Sequence, residues 1–202
     1  SIGHRTFREG RSYLGHGQRP TEPDDVFAMT GLAPAESASL AAGLVSFLTL
    51  AGTWWFGRRA AGYRHSRDTI SELGAAGTPD ARAVAWLWFA PSGLIFAFAA
   101  LSLGESFGTD DAARAASTFA LVGAGWIGAA IFPCDKGAPT FGSMRNHLHN
   151  LTGGGSYLAG AAGLFEMARV LEGSHAVLSM TAQASGGVCI PRCGAMGDPC
   201  CA

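Results

Sequence analysis

Residues 83–103 read AVAWLWFAPSGLIFAFAALSL, a run without one Asp, Glu, Lys or Arg. An α-helix rises about 1.5 Å per residue, so about 20 residues cross a hydrocarbon core of about 30 Å. This run is long enough to do so. Trp86 and Trp88 stand near one end of it, where amphipathic indole rings favour the membrane interface. Pro91 predicts a kink of the kind that neighbouring helices in a bundle tolerate. Just upstream, Thr78, Pro79 and Asp80 read as an N-cap, a first-position proline and a first-turn acid.

Four more charge-free stretches, 37–57, 115–134, 146–165 and 173–191, flank this one, and the 14 Lys+Arg and 15 Asp+Glu all fall between or outside them. Ser37 to Gly57 is rich in Leu, Phe, Ala and Trp, with Trp54 and Trp55 at its end. Ala115 to Phe132 is rich in Gly and Ala, and Thr109, Asp110 and Asp111 ahead of it supply a cap and first-turn acids. The next span is placed at Leu151 to Leu171, because Asn146, His147, His149 and Asn150 suit an interface better than a bilayer centre. Glu166 and Arg169, one turn apart near its other end, are expected to pair and snorkel. Ser174 to Ile190, interrupted by Gln183, Ser185, Gly186 and Gly187, makes a marginal fifth span.

The predicted fold is therefore all-α: a polytopic transmembrane helix bundle with four spans and that marginal fifth. Gly155, Ala159 and Gly163, like Ala124 and Gly128, recur every four residues and predict small-residue faces for close helix packing. The period-two alternation of a barrel is missing. Charged residues are 14% of the chain, against roughly 25% in soluble domains. The net charge of −1 excludes the usual electrostatic nucleic-acid binder.

The ends differ from the middle. Residues 1–36 are polar, lack the apolar core of a signal peptide and read as a disordered tail upstream of the bundle at 37–172. Residues 173–202 read as the marginal span followed by a Cys-rich, truncated or non-native terminus. The spacing of Cys189, Cys193, Cys200 and Cys201 fits no strong zinc pattern. Gly153-Gly154-Gly155 lacks the Lys and Ser/Thr of a phosphate loop, and no cofactor is expected.

Polar chemistry is left to two loops. In the first, 58–82, Asp68, Ser71 and Glu72 are spaced i, i+3, i+4, so one helical turn closed by Gly74 would place them on one face. The second, 133–150, holds Cys134, Asp135, Arg145, Asn146, His147, His149 and Asn150. One loop follows the first span and the other the third, which puts both on the same side of the membrane. Lys and Arg near the span ends favour a cytoplasmic position for that side, although the arginines at 5, 8, 11 and 19 oppose it.

These loops also carry a resemblance. Gly62-Tyr63-Arg64-His65-Ser66, then Ile70-Ser71-Glu72-Leu73-Gly74-Ala75, Gly77 and Pro79, resemble the opening signature of the prokaryotic membrane family called domain of unknown function 998. Phe132-Pro133-Cys134-Asp135 is similar to its aromatic, proline, variable residue, aspartate element, and Leu148-His149 to its histidine position. The resemblance covers roughly residues 37–172. It implies about six helices, a pattern the chain leaves after about Ser174, and it implies no reaction.

Two functions fit these residues. The preferred one is a non-enzymatic, multi-pass protein of the cell membrane that handles a lipid or small solute, with membrane lipids as partners. Arg67, Asp68, Ser71, Glu72, Asp135 and His149 would form its interfacial cluster, sharing the cost of desolvating the carboxylates. The alternative is a membrane-embedded hydrolase of lipid amides or esters. There His147, His149 and Asp135 would bind zinc, or Ser71 would act as nucleophile with Asp135 and His149. Against the metal, two histidines two residues apart point about 200° apart around a regular helix.

Overall fold

A computed structural model describes residues 31–172 and 180–185. The chain divides into two units, 1–32 and 33–202. The first contributes only Gly31 and Leu32 to the described residues. Within the second, every regular element among the described residues is helical. Besides helical residues 180–185, these are α1 (Pro34–Arg59), the single turn α2 (Ile70–Leu73), α3 (Ala81–Phe107), α4 (Asp110–Ile131) and α5 (Met144–Leu171).

Local chemistry sets the boundaries. Pro34 opens α1, where a missing N–H costs nothing, and Glu36 reaches back to the Ala33 N–H at 3.2 Å. Thr109 caps α4 as expected, its hydroxyl accepting from the Ala112 N–H at 3.2 Å. The expected cap ahead of α3 is different. Its helix begins at Ala81, while the Thr78 hydroxyl donates back to the Ala75 carbonyl at 2.8 Å and Asp80 is drawn to Arg59 at 3.0 Å. The kink expected at Pro91 is a π-helical segment, Val84–Phe89, in which the Ala90 N–H reaches the Ala85 carbonyl. The extra residue in that turn accommodates the proline ring, which otherwise clashes with the carbonyl four residues back.

The long helices pack in chain order, α1 on α3, α3 on α4 and α4 on α5. Between α3 and α4 the backbones meet at Gly93 and Gly123, where a Cβ on Gly93 would lie 2.5 Å from the Gly123 carbonyl oxygen. Between α4 and α5, Thr152 and Ser156 sit over Gly128 and Gly125, and Gly163 receives Phe119. The small-residue faces expected from four-residue spacing are thus only half used. Gly128 and Gly163 lie in the seam, whereas Gly155 and Ala124 are exposed. A four-residue step overshoots one turn by about 40°, so the spacing drifts off the seam within two turns.

Three helices, α1, α3 and α4, are long and apolar enough by length and composition to cross a membrane. The fourth predicted span, α5, is a continuous helix of 28 residues, but it falls outside that group. Its polar first turns, its glycine triplet and the pair Glu166 and Arg169 dilute its hydropathy. Those two do not form the expected ion pair, and Glu166 keeps one buried carboxylate oxygen without a partner. Of the marginal fifth span, 180–185 is helical and the rest lies outside the described residues, as do the Cys-rich terminus and residues 1–30.

Trp54, Trp55 and Trp86 are exposed, as interface residues should be, but Trp88 is only 2% exposed. It stacks on Phe56 at 5.6 Å and meets Phe89 and Trp126 in an aromatic core at the end of the bundle that carries both polar loops. Gly52 opens the space that the Trp88 indole fills.

Candidate functional site

The first loop turns at Gly62, where a φ of +80° suits glycine. The Arg64 N–H then donates to the Asp68 carboxylate at 2.7 Å, and the Arg67 guanidinium grips the same group through both Nε and Nη2. The Arg67 hydrogen bonds, followed by the Arg64 N–H, hold the Asp68 carboxyl below the usual carboxylate range. Tyr63 donates its hydroxyl to the Asp68 carbonyl at 3.3 Å, and its own ionisation is pushed up by burial and by the nearby Asp68 and Glu72. Asp68 precedes Thr69, the N-cap of α2, so it does not share a helical face with Ser71 and Glu72 as the spacing suggested. Glu72 turns back to accept from the Thr69 N–H at 3.2 Å. Gly74 ends the turn with φ of −98°, and a Cβ there would press within 2.9 Å of Val84.

The second loop is organised around Asp135 and Asn146. Asp135 accepts from the Ser143 N–H at 2.7 Å, the Ser143 hydroxyl at 2.9 Å and Arg145 at 3.2 Å. Ser143, chiefly, and then Arg145 hold that carboxyl low. Ser143 is also the N-cap of α5, accepting from the Asn146 N–H at 3.2 Å. Asn146 is fully buried, with its carbonyl accepting from the Asp135 N–H at 2.9 Å and its amide donating to the Pro139 carbonyl at 2.6 Å. Asn150 donates to the Pro139 and Thr140 carbonyls at 3.3 Å. His149, buried to 4% exposure, places Nδ1 2.8 Å from the Phe132 carbonyl. A carbonyl only accepts, so Nδ1 carries the hydrogen.

Cys134 joins the two loops. Its carbonyl accepts from the Ala76 N–H at 2.8 Å, and its thiol donates to the Ser71 carbonyl at 3.3 Å. Burial, reinforced by Glu72, pushes the Cys134 thiol up to about 11. The two loops therefore lie at the same end of the bundle.

The predicted cluster residues reach that end as two local networks, Arg67 with Asp68 and Asp135 with Ser143, Arg145 and Asn146. Among the described residues, no hydrogen bond or ion pair joins Asp68, Glu72, Asp135 and His149 to one another. Nor do three His, Cys, Asp or Glu side chains come together to hold a metal. His147, a candidate metal ligand, instead lies edge-on to Phe141 at 6.4 Å. Among those residues no base hydrogen-bonds the Ser71 hydroxyl; Ser71 contributes its main-chain carbonyl instead. Sequence reasoning missed Ser143 and Gly142; a Cβ on Gly142 would lie 2.6 Å from the Asp135 carboxylate. The legible signal was Ser143, a capping residue three positions before Asn146.

Three apolar helices of membrane length, packed side by side, with polar loops tied together at one end, are the build of a helical membrane protein. The chain belongs to the family described as Protein of unknown function (DUF998), whose model matches residues 34–190. No curated protein and no solved structure matches it.

Proposed function

We propose that this is a multi-pass protein of the cell membrane that handles a lipid or small solute at its loop end, without catalysis. The observation that carries the reading is the outward apolar surface. On α1, Leu40, Leu44, Phe47 and Trp54 are 63, 47, 65 and 53% exposed, and their spacing puts them on one face. On α3, Leu87, Leu94 and Leu101 are 75, 62 and 46% exposed at seven-residue intervals. Such stripes are costly in water and suit hydrocarbon.

In this reading α5 is a fourth span. At about 1.5 Å per residue it is long enough to cross with its polar first turns in the headgroup region. Its exposed Leu151, Tyr157 and Leu158 face lipid. Among the described residues, the loop end carries seven Lys and Arg against four Asp and Glu, and the opposite end two against six. By the positive-inside tendency, the loop end faces the cytoplasm. Extraction of membranes with alkaline carbonate tests the reading. The protein stays in the pellet if it is integral; recovery in the supernatant, monodisperse without detergent, contradicts it.

A further inference from the structure

The apolar stripe of α1 does not end in open loop. Eighteen residues, or five turns, separate Leu40 from Arg58, so Arg58 continues the face of Leu40, Leu44, Phe47 and Trp54. That separation is roughly 27 Å along the helix, close to the thickness of a hydrocarbon core. A chain embedded along this stripe places Arg58 at headgroup depth.

The guanidinium of Arg58 lies 4.9 Å over the ring of Trp54. Among the described residues it makes no hydrogen bond or ion pair; Arg59, Arg67 and Arg145 are taken by Asp80, Asp68 and Asp135, and of the cations at this end left without an ion pair it is the one that lies over an aromatic ring. Stacking on an indole fixes the plane of a guanidinium while leaving its N–H fork free, the geometry that suits bidentate binding of a phosphate. The surrounding end of the bundle is net positive, as counted above. A helix C-terminus gives no dipole assistance to an anion, so the attraction must come from the guanidinium and that local charge.

We propose that Trp54 and Arg58 form a docking point for the phosphate of an anionic phospholipid, with the acyl chains lying along the Leu40, Leu44 and Phe47 stripe. The inference rests on the membrane reading and adds the lipid class and its contact residues.

The test is a lipid titration of the full chain in detergent, followed by native mass spectrometry, with phosphatidylglycerol and phosphatidylcholine as probes. Phosphatidylglycerol should be retained in preference, and Arg58→Gln should weaken its retention by roughly five- to tenfold. Arg114→Gln, at the opposite end beside Asp111, should leave it unchanged. Millimolar inorganic phosphate should not displace the lipid. Equal retention of the two lipids, wild-type binding by Arg58→Gln, or displacement by phosphate alone would each overturn the lipid assignment. A protein that is monodisperse without detergent removes the membrane reading itself. A detergent-dependent protein without lipid preference removes only this inference.

Discussion

The thiol of Cys134 donates to the main-chain carbonyl of Ser71 at 3.3 Å, across 63 positions of sequence. With the hydrogen bond from Ala76 to the Cys134 carbonyl, it fastens the two polar loops to each other without using any of their charges. Cys134→Ala removes a buried sulfur atom and leaves the Ser71 carbonyl without that donor. It should destabilise the bundle by about 1–2 kcal/mol, read as a lower unfolding midpoint in detergent. The thiol is fully buried and its ionisation is pushed up to about 11, so in folded protein at neutral pH the peptide carrying Cys134 should resist alkylation. Rapid modification without unfolding would contradict the packing.

The helix seams predict opposite outcomes for chemically identical changes. Gly123→Ala drives a methyl group into the Gly93 carbonyl and should cost about 1–3 kcal/mol through overpacking. Gly154→Ala meets nothing within 4 Å and should stabilise α5 by roughly 0.5–1 kcal/mol through helix propensity. Thermal unfolding of the two variants side by side checks the contrast.

Asp68 and Asp135 are both held below their ordinary range in the fold. A depressed carboxyl favours the folded state above its unfolded pKa of about 4, and that contribution fades as pH falls through the lower folded value. The stability gap between wild type and Asp135→Asn should therefore be full at pH 6 and shrink steadily below about pH 4. The Asp68 and Asp135 networks share no hydrogen-bonding partner, so the effects of Asp68→Asn and Asp135→Asn should add. Unfolding midpoints of the single and double variants across pH measure both points.

Much of the bundle was legible because hydropathy and caps act locally. The charge-free run at 83–103 and the cap at Thr109 needed no tertiary information to place α3 and the start of α4. The burial of Trp88 was not legible, since an indole near a span end reads as interfacial until the π-helical turn swings it onto Phe56. Of the candidate site, the common end of its two loops was legible, but not its wiring. Spacing suggested that Asp68 would meet Glu72 on one face. Instead each carboxylate found backbone N–H groups or an arginine within a few residues, which costs less chain entropy than a contact between distant loops. The long-range tie fell to Cys134, whose partner 63 positions away no local pattern names.

Sidedness tests the proposed membrane arrangement most directly. Ser66 and Thr140 are exposed in the two tied loops, and Ser106 is exposed near the opposite end of the bundle. Each is replaced singly by cysteine in a chain that keeps the buried Cys134 and lacks the other four native cysteines. Intact membrane vesicles are then treated with an impermeant maleimide. Ser66→Cys and Thr140→Cys should react from one side and Ser106→Cys only from the other. Labelling of Ser66→Cys and Thr140→Cys from opposite sides, or of all three from the same side, would contradict a bundle that crosses the membrane with both polar loops on one face.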